Sequence, residues 1–222
     1  MNQMKGCCNL YKSFENLPED KKENILSACM AEFVKHGYKQ ASTNIMVEKA
    51  GISKGILYHY FGNKKNLYLY LVDKSMKYYL SELEELYKLN IPDIFDRLLK
   101  FALVKLNLIQ KDLMMYEFAA RAFVNDTEEV SKEIKSRYEK IYKEHIPRVF
   151  KDIDTTKLKK GVDVSKLIET IMFCLEGLNA KHVRLYKENK LSYAEMNCKA
   201  IEESMSYLNI IKYGAYKTES EE

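Results

Sequence analysis

Between residues 35 and 65 six lysines (Lys35, Lys39, Lys49, Lys54, Lys64 and Lys65) stand against one acid, Glu48. Embedded among them is the string SKGILYHYF, residues 53–61. A Lys54 ammonium suits guanine O6 and N7. The hydroxyl and ring N–H donors of Tyr58, His59 and Tyr60 suit phosphate oxygens, which fix register without reading sequence. Gly55 has no side chain, so a duplex can come close to the backbone there. The chemistry in prospect is recognition of an anionic polymer and of its base edges, with no bond made or broken.

Such groups need a frame that sets them on one surface. Pro18 followed by Glu19 and Asp20 predicts a helix start, with proline in the first turn and acids near the positive end of the dipole. Ile25, Ala28, Cys29 and Phe33 then recur at helical spacing, and Gly37 is expected to stop that helix at its C′ position. Ser42 is expected to cap a second helix through Ile45, Met46 and Ala50, which breaks at Gly51. Ser53 caps a third, KGILYHYF, ended by Gly62-Asn63. Three helices, the last two short and joined by a tight glycine-containing turn, outline a helix-turn-helix.

In that arrangement the second of the paired helices enters the major groove. It would present Ser53, Lys54, Gly55, Ile56, Tyr58, His59 and Tyr60, with Leu57 and Phe61 facing inward onto Phe33. Ser42 and Thr43 open the helix before it and Lys64 opens the helix after it, where free backbone N–H groups help to hold phosphate. Each residue also has an ordinary reading. Ser42 and Ser53 cap helices whatever they bind, aromatic residues at this spacing pack in cores, and a lone histidine is a common surface residue.

Composition narrows the classes. The 222 residues are 46% hydrophobic and 31% charged, with 3 Pro and 8 Gly, too little punctuation for a chain of many strands and turns. The expectation is an all-α protein. No apolar run approaches membrane-spanning length, and the start, MNQMKGCCNLYKSFENL, lacks the apolar stretch of a signal peptide, so a cytoplasmic protein is expected. Cys7, Cys8, Cys29, Cys174 and Cys198 are odd in number and form no CxxC pair, which argues against a disulfide framework or zinc site. Neither cofactor nor metal is expected, and Cys7-Cys8 reads more readily as two reduced thiols than as a redox pair. Charge is unevenly divided. Residues 1–66 carry 10 Lys/Arg and 6 Asp/Glu, a net +4, and residues 67–222 carry 26 of each. A basic segment on a neutral body is the footprint of a nucleic-acid or anionic-membrane contact.

The string ASTNIMVEKAGISKGILYHYFGNKKNLYLYLV closely resembles the DNA-binding segment of the TetR family of transcriptional regulators, and ILSACMAEFVKHGY before it resembles that family's first helix. The resemblance covers about residues 19–75. Ile45 and Ile56 depart from it, standing where small or polar residues are frequent, and residues 1–18 exceed the usual short lead-in and are expected to be flexible. The resemblance implies a homodimer on a palindromic double-stranded operator. Each subunit would have a small DNA-binding domain, residues 19–66, and a larger helical body, residues 67–222. The body's last two long helices pair with their mates, and it encloses a pocket for a small-molecule inducer that changes the spacing of the reading helices. Most members are repressors.

The rest of the chain reads as long helices, making about nine in all. One follows Lys64 to about Leu89, and others start at Pro92, Asp112 and Thr127, the last of these kinked or ended by Pro147. After a polar loop at 151–161, Asp163 or Ser165 opens a helix to about Glu188. Ser192-x-x-Glu195 is a capping box for the final helix, which fades near Gly214 before a frayed tail, KTESEE. Leu167, Ile171, Leu175 and Leu178 form a stripe assigned to the dimer interface, the alternative being intrachain core. Gly177 would be there for close helix approach. Phe101, Met114, Met115, Phe118, Phe123, Tyr138, Tyr142 and Phe173 supply aromatic and thioether surface for a pocket, although such residues also fill cores. Asn179 and His182 are its candidate polar groups, and Glu117 and Glu176 lean the expected ligand towards a flat hydrophobic cation.

The reading is a ligand-responsive, dimeric, DNA-binding repressor without enzymatic activity. An all-helical enzyme finds little support in four scattered histidines, with no paired-carboxylate metal motif and no nucleophile elbow. A nonspecific architectural DNA binder would spread its positive charge widely, and this chain confines it.

Overall fold

A computed structural model describes residues 11–124, 127–188 and 190–216. Cys7, Cys8 and the tail KTESEE lie outside the described residues. Within them are ten helices: α1 (Lys12–Glu15), α2 (Glu19–Gln40), α3 (Thr43–Ala50), α4 (Lys54–Phe61), α5 (Lys64–Tyr87), α6 (Ile94–Lys111), α7 (Leu113–Val124), α8 (Glu128–Val149), α9 (Val164–Lys187) and α10 (Tyr193–Ala215). The only strand-like pairing among the described residues is an isolated antiparallel bridge, Leu158 to Tyr216. The all-α expectation is borne out: a helix-turn-helix occupies the N-terminal part, and a larger helical region follows. The tenth helix, beyond the nine or so expected, is the short α1.

The chain divides into two compact units, one of Met1–Ser81 with Ile109–Lys140, the other of Glu82–Leu108 with Ile141–Glu222. In the first, α2 buries Ile25, Leu26, Cys29, Met30 and Phe33 along one face, as its period requires. The Phe33 ring meets Tyr68 of α5 at 4.8 Å and Phe118 of α7 at 6.2 Å between centroids. Gly37, at φ 68°, breaks the helix where expected, and one further turn carries the chain to Gln40.

Of the lead-in, residues 1–10 lie outside the described residues, and the rest is tied down by contacts. Residues 12–15 are helical, and the Phe14 side chain is fully buried against Phe61, Tyr60 and Tyr70. The Tyr11 hydroxyl donates to the Asn66 carbonyl at 3.3 Å, and the Tyr70 hydroxyl donates to Glu15 Oε1 at 2.6 Å. Phe61 therefore finds its ring neighbours in Tyr11, Phe14 and Tyr70, while Phe33, its expected partner, packs against Tyr38, Tyr68 and Phe118.

The second unit is built on a core of Ile94, Phe95, Leu98, Val149, Leu167, Ile171 and Leu208. Asp93 is buried at the start of α6, where its Oδ1 accepts from the N–H groups of Phe95 and Asp96 at 2.9 and 3.1 Å. The Asp163 cap of α9 and the Ser192–Glu195 capping box of α10 are as expected, and α8 ends two residues after Pro147. The assignment of the α9 stripe needs correcting. Leu167, Ile171 and Leu178 are buried within this single chain, and Leu175 packs against the same core. Gly177 is not there for an approach within the chain either, because a Cβ added at it would meet nothing within 4 Å.

Candidate nucleic-acid interface

The turn between α3 and α4 is fixed on both sides by local chemistry. Gly51 takes the left-handed conformation that a side chain would oppose, φ 65° and ψ 31°, and returns its N–H to the Glu48 carbonyl. Asn24 Nδ2 donates to the Ala50 carbonyl at 3.0 Å, covering another of the groups that a helix end leaves open. Ser53 caps α4 as expected, its Oγ accepting from Ile56 N at 3.2 Å. Ser42 occupies the corresponding place on α3, but its side chain makes no capping bond. Its backbone N–H donates instead to Oε1 of Glu32, a carboxylate buried inside the unit, at 3.0 Å. Helix α3 is thus anchored from α2 and not by its own first residues.

On α4 the period sends Leu57 and Phe61 into the core and leaves Ser53, Lys54, Gly55, Ile56 and His59 exposed, with Tyr58 and Tyr60 half-buried. Lys54 Nζ stands 5.9 Å from the Tyr58 ring centroid, and the Tyr58 hydroxyl is 3.4 Å from Thr43 Oγ1. These contacts bring together three of the expected site residues from two helices. The Tyr60 ring packs edge-to-face with Phe14 at 5.6 Å between centroids, so part of it is committed to packing. Ile45 and Ile56 are 38% and 41% exposed, large apolar side chains on the outer surface of the two helices. Apolar contact of this kind suits a thymine methyl.

Lys64 opens α5. Its ammonium donates to the Lys39 carbonyl at 3.2 Å and lies 5.2 Å from the Tyr38 ring centroid. Burial pulls its pKa below the ordinary lysine value, opposed by the charge of Glu129. The exposed surface therefore combines donors, the capped helix α4, two isoleucines and a lysine at a helix N-terminus. That combination can hold phosphates and meet base edges.

The residues expected to line a ligand pocket fall into both units. In the first, Phe118 is core, Met115 is half-buried, and the Tyr138 hydroxyl donates to the Ala119 carbonyl at 2.9 Å. In the second, Phe101 borders a cleft of about 350 Å³ together with Tyr87, Arg97 and Arg148. His182 is buried on α9, its Nε2 2.7 Å from Glu203 Oε2 of α10. Tyr142 and Asn179 are exposed, and Phe173 is 71% exposed. The acids that favoured a cationic ligand are engaged: Glu117 pairs with Arg121 at 2.7 Å, and Glu176 accepts from the Tyr142 hydroxyl at 3.2 Å. Sequence reasoning passed over Lys105. It shares the inward stripe of α6 with Leu98, Phe101 and Leu108 and is drawn below the ordinary lysine value by burial alone. A lysine in an apolar stripe was the signal available. Among the described residues no group of three or more His, Cys, Asp or Glu could hold a metal, and no helix is long and apolar enough to cross a membrane.

Comparison with known proteins gives the site a context. Residues 25–71 match the model of bacterial regulatory proteins of the tetR family. The HTH-type transcriptional repressor AcnR of Corynebacterium glutamicum is 37% identical over 54 residues, which are 24% of this chain and 29% of that repressor. The match thus spans less than a third of the relative's length. Two solved structures are similar over nearly the whole chain. A TetR family transcriptional regulator from Chloroflexus aurantiacus gives a TM-score of 0.58 at 20% identity, covering 93% of this chain and 98% of its own. SmeT, the repressor of a Stenotrophomonas maltophilia multidrug efflux pump, gives 0.62 at 17% identity, covering 90% and 94%. At these identities the structural likeness speaks for the fold.

Proposed function

We infer, for a chain whose residues 25–71 carry the helix-turn-helix domain of the tetR family of bacterial regulatory proteins, that the protein is a ligand-responsive transcriptional repressor. Residues 19–66 form the part that reads DNA, and residues 67–222 the part that dimerises and takes the ligand. One observation carries this reading more than any other: the outer surface of α4, from Ser53 to Tyr60, is exposed or half-exposed around a capped first turn, with Thr43 tied to Tyr58 beside it. Lys54 and Ile56 read base edges. Ser42, Thr43, Tyr58, His59, Tyr60 and Lys64 hold phosphates, and Ser53 and Gly55 let the backbone approach.

The partner in solution is a second copy. The buried stripe of α9 is spent on the chain's own core, so the contact uses the opposite surface. Phe173 of α9 is 71% exposed, and Ile210 and Tyr213 of α10 are 67% and 79% exposed. Apolar side chains this large on two adjacent long helices favour an isologous two-fold contact. Gly177, with open space beside it, lies near Phe173 on that face and leaves room for a mate. Two-fold symmetry repeats the reading helix about 34 Å away and calls for a palindromic operator. With Glu117 and Glu176 already engaged, the inducer is a small hydrophobic compound. It weakens DNA binding by favouring the dimer whose reading helices are wrongly spaced, to the extent of its differential affinity.

The test is enrichment of duplexes from a random pool by the full-length protein, followed by fluorescence anisotropy at two salt concentrations. The expected result is a two-fold symmetric motif whose complex a scrambled duplex does not displace. Equal, salt-erased binding to both duplexes would overturn the reading.

A further inference from the structure

Three residues of α8 recur one helical turn apart, Glu129, Glu133 and Arg137, and each meets a partner on the segment that carries the DNA-facing side chains. The Tyr38 hydroxyl, in the last turn of α2, donates to Glu129 Oε1 at 2.5 Å. Lys65 Nζ, in the first turn of α5, pairs with Glu133 Oε1 at 2.6 Å. Arg137 grips Asp73, two turns further along α5, with both branches of its guanidinium: Nε to Oδ1 at 2.6 Å and Nη2 to Oδ2 at 3.2 Å. All six residues belong to the first compact unit. Beside this polar stripe, Val130 and Ile134 of α8 are buried. The helix thus offers an apolar stripe for adhesion and a polar one along its edge.

The two stripes do different work. Apolar contact is non-directional and tolerates sliding of one helix on another. A bidentate arginine–carboxylate pair does not, because both oxygens must be met at once. Each pair is partly solvent-exposed and adds little to stability by itself. What three in a row add is register, since a shift or rotation of α8 by one residue unmakes all of them together. Their partners also sit directly behind the proposed DNA-facing set. Tyr38 lies under the Lys64 ammonium and four residues before Ser42, Lys65 is Lys64's neighbour, and Asp73 fixes the direction of the helix that Lys64 opens.

We propose that Glu129, Glu133 and Arg137 form a polar latch that holds the start of α5 and the end of α2 in the orientation needed to meet an operator, making them positioning residues for DNA binding that touch no DNA themselves. The inference rests on the DNA-binding function proposed above and adds a part to it. The geometry of the latch further assigns Lys65 to Glu133 and leaves Lys64 as the lysine facing the duplex. The Glu133 carboxyl is held below the ordinary range by the Lys65 ammonium beside it, as a charged partner requires.

A charge swap on the pair farthest from the duplex tests the latch. Asp73→Arg and Arg137→Asp, separately and together, are compared with wild type on the duplex that wild type enriches. Each single variant is expected to bind roughly three- to tenfold more weakly, the range in which coupling networks respond to one substitution. The melting temperature should stay within a few degrees of wild type. The salt dependence should be unchanged, since no phosphate contact is removed, and the double variant should recover wild-type affinity. Tyr38→Phe, which keeps the ring and removes only the hydroxyl, supplies a variant with no misplaced charge and should also bind more weakly at an unchanged salt slope. Single variants that bind like wild type, or a swap as weak as its parents, would overturn the latch while the DNA-binding reading stands. If wild type enriches no duplex, that reading falls and the latch with it.

Discussion

The rings of Phe14 and Phe61 lie with centroids 4.8 Å apart, so the last turn of α4 rests on a residue that precedes the three-helix segment. Both side chains are fully buried. Phe14→Ala leaves a cavity beneath α4 and is expected to cost about 3–5 kcal/mol, the usual range for a buried phenylalanine. Thermal or urea denaturation checks it. A loss below about 1 kcal/mol, no more than an ordinary surface substitution costs, would mean that α1 contributes nothing to the floor of α4.

Two serines at equivalent helix starts should behave differently. Ser53 accepts a bond from Ile56 N, whereas the Ser42 side chain makes no capping bond and only its backbone N–H is engaged, by Glu32. Ser53→Ala is expected to lower stability by about 1 kcal/mol and Ser42→Ala by much less. Paired denaturation curves decide it, and equal losses would contradict the difference in capping.

Removing the Lys64 ammonium should weaken binding to every duplex alike. Lys64→Ala is expected to flatten the dependence of log affinity on log salt by about one unit per subunit. Anisotropy titrations across a salt series supply the slope, and an unaltered slope would remove Lys64 from the phosphate contacts.

Lys105 carries a prediction about pH. Its folded-state pKa lies below the ordinary 10.5 because burial disfavours the ammonium, so between the two values the unfolded chain binds more protons than the folded one. Stability from this group therefore rises as pH climbs towards 10.5. Lys105→Met should raise the melting temperature at pH 7 by about 2–4 °C, the shift that about 1 kcal/mol gives a chain of this size. The gain should shrink in alkaline buffer. A melting temperature below wild type at neutral pH would show that the ammonium has a stabilising partner.

For the dimer, Ile210→Glu places a charge on a surface that is 67% exposed in the single chain, so the fold should tolerate it while the association does not. Sedimentation at micromolar concentration is expected to show a dimer for wild type and a monomer for the variant. A wild-type monomer would refute the two-fold contact. A dimeric variant would move it to another face.

The parts of this structure that were legible in the sequence are those written in local chemistry. The bounds of α4 follow from Ser53 and Gly62, the turn from Gly51, and the starts of α9 and α10 from Asp163 and the Ser192–Glu195 pair, because a cap or a left-handed glycine acts within four residues of itself. Phe14 was missed for the opposite reason: its partners, Phe61 and Tyr70, are distant in sequence, and its neighbours Lys12, Ser13 and Glu15 are polar. The stripe of α9 shows where periodicity stops short. Leu167, Ile171 and Leu178 announce that one face is buried without saying what buries it, and the chain's own core claimed them. Ser42 looked like a cap because its residue type and place suit one, but its side chain makes no capping bond, and the Glu32 carboxyl that meets its backbone N–H sits on another helix.

Ile45 and Ile56, half in water on the outer surface of α3 and α4, carry a thermodynamic consequence. Hydrating exposed hydrocarbon raises the heat capacity of the free protein, and covering it lowers that capacity again. A surface of lysine and tyrosine alone would approach DNA mainly by releasing counterions, a process that salt opposes. With two isoleucines among those residues, the seated complex also sheds apolar hydration. Its affinity should therefore curve with temperature in a way that a purely electrostatic encounter with an unrelated sequence does not.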